Sequence, residues 1–224
     1  MSETYSLAEA TMKVIQDRRS IREWTDEPVS EEDLAMILEA GRQAPSGENA
    51  QPWRFIVVKD PERRKKLAAL AGGGSGRRFT AEFVTHQMQA RFATLQDEAK
   101  KKAAFEKLTS GQVSQFSENA PVTIMVCGKK DVWDTPYDTS AAIENMLLMI
   151  TALGLGACWV IAVCFDVREE ERTKELLGIP EGFKTISLIS LGHPTRPHRQ
   201  RPRIPINQLV FSETWGEPYY KETV

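Results

Sequence analysis

From Asn145 to Phe165 the chain carries no charged side chain, a stretch that could span a bilayer on length alone. Its interior argues otherwise. Gly154 and Gly156 interrupt it, Asn145 and Thr151 lie inside it, and Asp138 stands at its upstream edge as a candidate N-cap. The pattern predicts a buried helix from about Asp138 to Leu153, a glycine stop, and a buried strand from about Ala157 to Cys164. At 224 residues the chain is long enough to bury a core around them.

Other elements follow from local signals. Ser30 caps a helix whose first turn holds Glu31, Glu32 and Asp33 and whose Leu34, Ile37, Leu38 and Gly41 share one face; it ends before Pro45. Arg54 to Lys59 reads as a strand, and Asp60-Pro61 opens a second helix. Gly72 to Gly76 reads as a flexible break, and Thr80 to Leu108 as a polar, helix-favouring stretch. Pro121 to Cys127 is a buried strand, Asp166 to Leu177 a helix closed by Gly178 and Pro180, and Lys184 to Leu191 a last strand. A short helix falls near Ile206 to Val210. Helices and about four strands interleave without a repeat or a shift in composition, which predicts one α+β domain over residues 1–224 with an embedded insertion at about 72–115.

Lys plus Arg number 29 against 31 Asp plus Glu, a formal charge of -2, which argues against nucleic acid as the main partner. The cysteines, Cys127, Cys158 and Cys164, are odd in number and set in apolar surroundings, so neither a disulfide framework nor a zinc site is expected. A reducing compartment fits best. The N-terminal residues show no basic region followed by an apolar run, so no signal peptide is expected, and the expected location is the cytoplasm.

Chemistry-bearing residues gather in three places. Arg18, Arg19 and Arg22 surround Ser20, and Arg196, Arg199, Arg201 and Arg203 crowd the other end of the chain. Guanidinium forks match phosphate oxygens, but spacing alone favours two solvated basic patches. The loop from Ala44 to Trp53 offers small and amide side chains between a helix and a buried strand; it is either an ordinary turn or part of a site. Gly72 to Gly76 lacks the spacing of a dinucleotide fingerprint or phosphate loop. His86, His193 and His198 have no metal-ligand spacing, and no nucleophile elbow or triad can be assembled. Arginines without acid/base machinery suggest a cofactor that brings its own reactivity.

Arg18-Arg19-Ser20-Ile21-Arg22, Pro28-Val29, and Ala44-Pro45-Ser46 with Asn49, Gln51, Pro52 and Trp53 resemble the N-terminal signature of the FMN-dependent nitroreductase family. Ala120-Pro121-Val122, Gly154 to Trp159, Leu176 to Pro180 and Leu191-Gly192 are similar to its later landmarks, in order. The likeness runs from about Val14 to Trp215.

That resemblance implies a three-layer α+β sandwich with a central mixed sheet, built as an intertwined homodimer with FMN at the subunit interface. Arg18, Arg19 and Ser20 would hold the phosphate and ribityl end, and Arg22 would lie near the flavin pyrimidine. Pro45, Ser46, Gly47 and Asn49 would come from the partner subunit. Trp159, Val160 and Ile161 would pass the ring edge with a backbone N–H toward N5, and Arg201 and Arg203 would close on the phosphate. No catalytic side chain beyond the flavin and no metal is implied. The implied activity moves electrons from NADH or NADPH through FMN to a nitro-aromatic, quinone or similar acceptor by ping-pong exchange. The alternatives are a specialised branch (flavin fragmentation, reductive dehalogenation, azoline oxidation) or a flavin-binding storage or regulatory protein. Gly47 departs from the pattern, since many relatives carry Ser or Thr there. Residues 72–115 form the candidate lid, with Phe83, Phe92 or Phe105 to stack on an aromatic acceptor.

Overall fold

Alternation of side chains along two central strands decides the architecture. The computed structural model describes residues 5–220 except 86, 87 and 94, so His86 lies outside the described residues. Four strands, β1 (Trp53–Val58), β2 (Val122–Lys129), β3 (Gly156–Val160) and β4 (Phe183–Gly192), form one sheet in the order β1-β2-β4-β3. Along β2 and β4, Ile124, Val126, Ile189 and Leu191 point to one face, while Met125, Cys127 and Leu188 point to the other. Helices α2 (Glu31–Arg42) and α7 (Thr135–Ala152) cover the first face with Leu34, Ile37, Ile143, Met146 and Ile150. On the second face, α3 (Pro61–Val84) brings Leu67 and Ala71, and α8 (Val167–Leu177) brings Leu176 and Leu177. The result is the expected three-layer α+β sandwich. The sheet of one chain is antiparallel and not the mixed sheet expected: all three ladders run antiparallel, and among the described residues parallel pairing is confined to the bridge between Ser20 and Ala157.

Several boundaries differ from the sequence reading. Helix α7 begins behind Asp134, with Pro136 in its first turn, so Asp138 is an interior residue and not the cap. Its carboxylate is buried and accepts from Gly47 N at 3.1 Å. The strand expected to reach Cys164 ends at Val160, because the chain turns at Ile161 into a short 3-10 turn, Ala162–Cys164. Helix α1 (Leu7–Asp17) was not anticipated, although Ser6 and Glu9 form a capping box that marks its start. Its Leu7, Met12 and Ile15 are exposed, so burial within one chain does not explain it.

The largest correction concerns Gly72 to Gly76. They are not a flexible break: α3 runs straight through them, and Gly72, Gly74, Ser75 and Gly76 are buried. A Cβ on Gly74 would stand 2.0 Å from the Ala162 carbonyl oxygen, so the helix approaches that turn closer than any side chain allows. Beyond α3, the helices α4 (Gln89–Ala93), α5 (Glu98–Thr109) and α6 (Gln112–Gln115) fold back, followed by the 3-10 turn Phe116–Asn119. Phe83 packs edge-on against both Phe92, at 5.9 Å, and Phe105, at 4.7 Å, so the three make a local aromatic cluster with one another. Among the described residues no helix is long and apolar enough to cross a membrane.

Candidate functional site

After α1 the chain lays the arginine segment along the outer edge of β3. Ser20 bridges Ala157, Ile21 N donates to Ala157 O at 2.8 Å, and Trp24 Nε1 donates to Gly156 O at 2.8 Å. Gly156 permits this approach, since a Cβ there would meet Ile21 Cγ1 at 2.5 Å. Strand groups alternate with a period of two, so Trp159, two residues past Ala157, turns its N–H toward the same outer edge. Trp159 and Ile161 are 36% and 41% exposed, an open apolar strand end beside the arginines.

Each arginine has a distinct setting. Arg18 is three-quarters covered, with Nε 3.6 Å from a Glu144 carboxylate oxygen. Arg19 donates through Nη1 to Arg18 O, while its buried Nε has no hydrogen-bond partner among the described residues. A buried donor of that kind carries a desolvation cost that an anionic acceptor would relieve. Arg22 lies over the Phe116 ring at 5.5 Å. Burial pushes the Cys158 thiol up, and Arg22 and Arg18 pull against it, so both guanidiniums act electrostatically on β3.

Arg22 meets Trp159, Val160 and Ile161 around one cavity of about 160 Å³. Residues the sequence reading had not singled out complete the lining: Phe116 beneath Arg22, Arg78 and Phe79 of α3, and Phe165. The available signal was the run Arg77-Arg78-Phe79 directly after the glycines, which becomes meaningful only once those glycines are helical. A larger groove, about 730 Å³, opens on the other side of Arg22, but its cations Lys59 and Arg64 face Glu23, Asp26, Glu31 and Glu118. Its mixed charge makes it a poor phosphate site.

Pro45, Ser46, Gly47 and Asn49 do not join this cavity within one chain. Their loop folds against α7, with Gly47 N on Asp138 and Gln51 N donating to Ser46 Oγ at 3.1 Å. Glu48, Asn49 and Gln51 all hold positive φ, at 51°, 55° and 44°, a concentration of left-handed non-glycine backbone typical of functional loops. A Cβ on Gly47 would stand 2.7 Å from Asp134 Oδ2, so a serine there requires that carboxylate to move. Arg201 and Arg203 are exposed on the C-terminal segment, Arg203 Nη1 donating to Arg201 O at 3.4 Å, and neither lines the cavity beside Arg22.

Residues 15–193 match the model of the nitroreductase family. The chain is 36% identical over 194 residues to an Archaeoglobus fulgidus protein provisionally named NADH dehydrogenase/NAD(P)H nitroreductase, covering 83% of this chain and 86% of that one. It is 30% identical over 204 residues to an FMN reductase [NAD(P)H] of Bacillus subtilis, covering 91% of this chain and 74% of the relative. In three dimensions it is similar to a nitroreductase with bound FMN from Bacteroides fragilis, with a TM-score of 0.61 and 25% identity over 87% of this chain and 93% of that one.

Proposed function

The chain belongs to the nitroreductase family, and from that premise we propose that it is an FMN-dependent oxidoreductase that draws electrons from NAD(P)H and delivers them to a nitro-aromatic, quinone or similar acceptor. The observation that carries this reading is the pairing of the arginine segment with β3, which sets Arg18, Arg19 and Arg22 beside an open strand end.

The residues fit the cofactor. Arg18, Arg19 and Ser20 supply charged and neutral donors for a phosphate, and the unpartnered Arg19 Nε is a donor awaiting an anion. Arg22 offers positive charge where the pyrimidine side of a flavin would lie, and the outward N–H of the Trp159 to Ile161 segment offers a backbone donor to a ring nitrogen. When bound, FMN supplies the two-electron chemistry, accepting from the nicotinamide and passing to the acceptor in turn. The chain's part is to bind and orient, to hold positive charge beside the ring, and to shut out water with Phe116, Phe165 and Trp159. Pro45, Ser46, Gly47 and Asn49 are assigned to the flavin of the partner subunit, and Arg201 and Arg203 to the phosphate. The first of these assignments requires a homodimer.

The test is direct. Purified protein should be yellow, release FMN on heating, and oxidise NADH or NADPH with a nitro-aromatic at steady state. FAD, or no flavin, would overturn the reading, and bound FMN without turnover would favour storage.

A further inference from the structure

The cavity beside Arg22 contains a second guanidinium that flavin binding does not call for. Arg78 reaches it from α3, its Cζ 4.4 Å from the Phe165 ring centroid and 5.8 Å from that of Phe79. Its Nε donates to Glu82 at 2.5 Å, and among the described residues its two terminal nitrogens have no hydrogen-bond partner. Arg78 and Phe165 stand between this cavity, which no carboxylate lines, and a neighbouring groove of about 460 Å³ whose lining includes Glu82 and Asp166.

The wall carrying Arg78 is fixed from several sides. Arg77, next in the chain, donates through Nε to Asp166 at 2.5 Å and pairs with buried Glu169 of α8. Ser75 bonds Ser114, and Gly74 lies against Ala162. The guanidinium of Arg78 is oriented by Glu82 and the Phe165 ring, which reduces the freedom it loses in a fork-to-carboxylate contact. The remaining surface is aromatic: Phe79, Phe116, Trp159 and Phe165 present faces and edges suited to a flat ring.

We propose that the acceptor is a single-ring aromatic bearing a carboxylate, and that Arg78 reads the carboxylate while Phe79 and Phe165 flank the ring. The inference rests on the flavin reading above and narrows its substrate class. Arg22 remains with the flavin, and Arg78 sets specificity.

The experiment titrates FMN-loaded protein with 4-nitrobenzoate and with nitrobenzene, following the visible flavin spectrum for affinity, and measures KM for both. The wild type should favour 4-nitrobenzoate by about tenfold or more, in keeping with one hydrogen-bonded ion pair. Arg78→Gln should remove most of that ratio, and Arg78→Lys should retain part of it. Glu82→Gln frees Arg78 from its own counter-ion and should raise the ratio, which guards against a trivial folding defect in the arginine variants. Equal affinities in the wild type, or a ratio that Arg78→Gln leaves in place, would overturn the proposal. So would an Arg78→Gln effect confined to NADPH, since Arg78 would then read the electron donor. Protein that purifies without FMN would sink the flavin reading itself, a failure distinct from flavin-loaded protein that ignores the carboxylate.

Discussion

A single guanidinium can be weighed by what already neutralises it. Arg18 is held 3.6 Å from Glu144, a distance at which the carboxylate helps to position it without saturating its donors. Replacing Arg18 by Ala should weaken FMN binding by about 2 kcal/mol, roughly thirtyfold in Kd, the scale of a hydrogen bond to a charged group. Fluorescence titration of apoprotein with FMN checks this, and an unchanged Kd would place the phosphate elsewhere. The cysteines behave in the opposite way. Burial pushes the Cys127 thiol up to about 12 and the Cys164 thiol up to about 12, far from the thiolate range at neutral pH. Native protein at pH 8 should therefore resist alkylation at the buried Cys127 while urea-unfolded protein reacts readily. Rapid native labelling detected by mass spectrometry would contradict the burial. At this scale the sequence is informative about residue type and poor about company. Arg18, Arg19, Ser20, Arg22 and Trp159 to Ile161 could be named from their motifs, whereas Arg78 and Phe165 could not, because their meeting depends on a helix crossing a turn far away in the chain.

Elements whose signals are local were legible, and those decided by tertiary packing were not. Ser30 before three acids, Asp60 before Pro61, Asp166, and Gly178 in a left-handed C-cap each mark a helix end in the expected place. All four strands were visible from their apolar runs, because each is bounded by turn residues. The glycines of α3 misled for a physical reason. Their intrinsic cost in a helix argues for a break, but the helix is offset by contacts that only residues without a Cβ can make. That explanation is testable. Gly74→Ala should favour an isolated helix yet destabilise the protein by about 1 to 3 kcal/mol, because its Cβ would stand 2.0 Å from Ala162 O. A urea midpoint at or above that of the wild type would show that the close approach is not required. The same continuity removes the reason for hinges at Gly72 to Gly76. Any motion of residues 85–115 must then start beyond the end of α3 at Val84 and not within the glycines.

The whole molecule presents an apolar surface that one chain does not bury. Ile143, Met146, Leu147 and Ile150 of α7 are inside their own core, at 0%, 0%, 4% and 0% exposure. The open face of α7 is the one around Leu148, Met149 and Ala152, which with Val14 of α1 and Met36 and Ala40 of α2 lines a groove of about 540 Å³. Exposed apolar grooves of this kind mark association surfaces. Helix α1 stands at its rim with no buried residue of its own, as expected of an element whose packing partner is a second copy. An intertwined dimer would also bring the strained loop at Glu48 and Asn49 to a flavin held by the other chain, which one chain by itself does not do. Met36→Glu sets a charge in the groove from α2, on a side chain already 48% exposed, and not from α7, where Glu144 positions Arg18. If the groove is the dimer contact, this variant should sediment as a folded monomer and lose flavin together with its partner. The wild type should remain a yellow dimer at the same concentration. A variant that stays dimeric, or a monomer that keeps its FMN, would mean that the two halves of the site do not come from two chains.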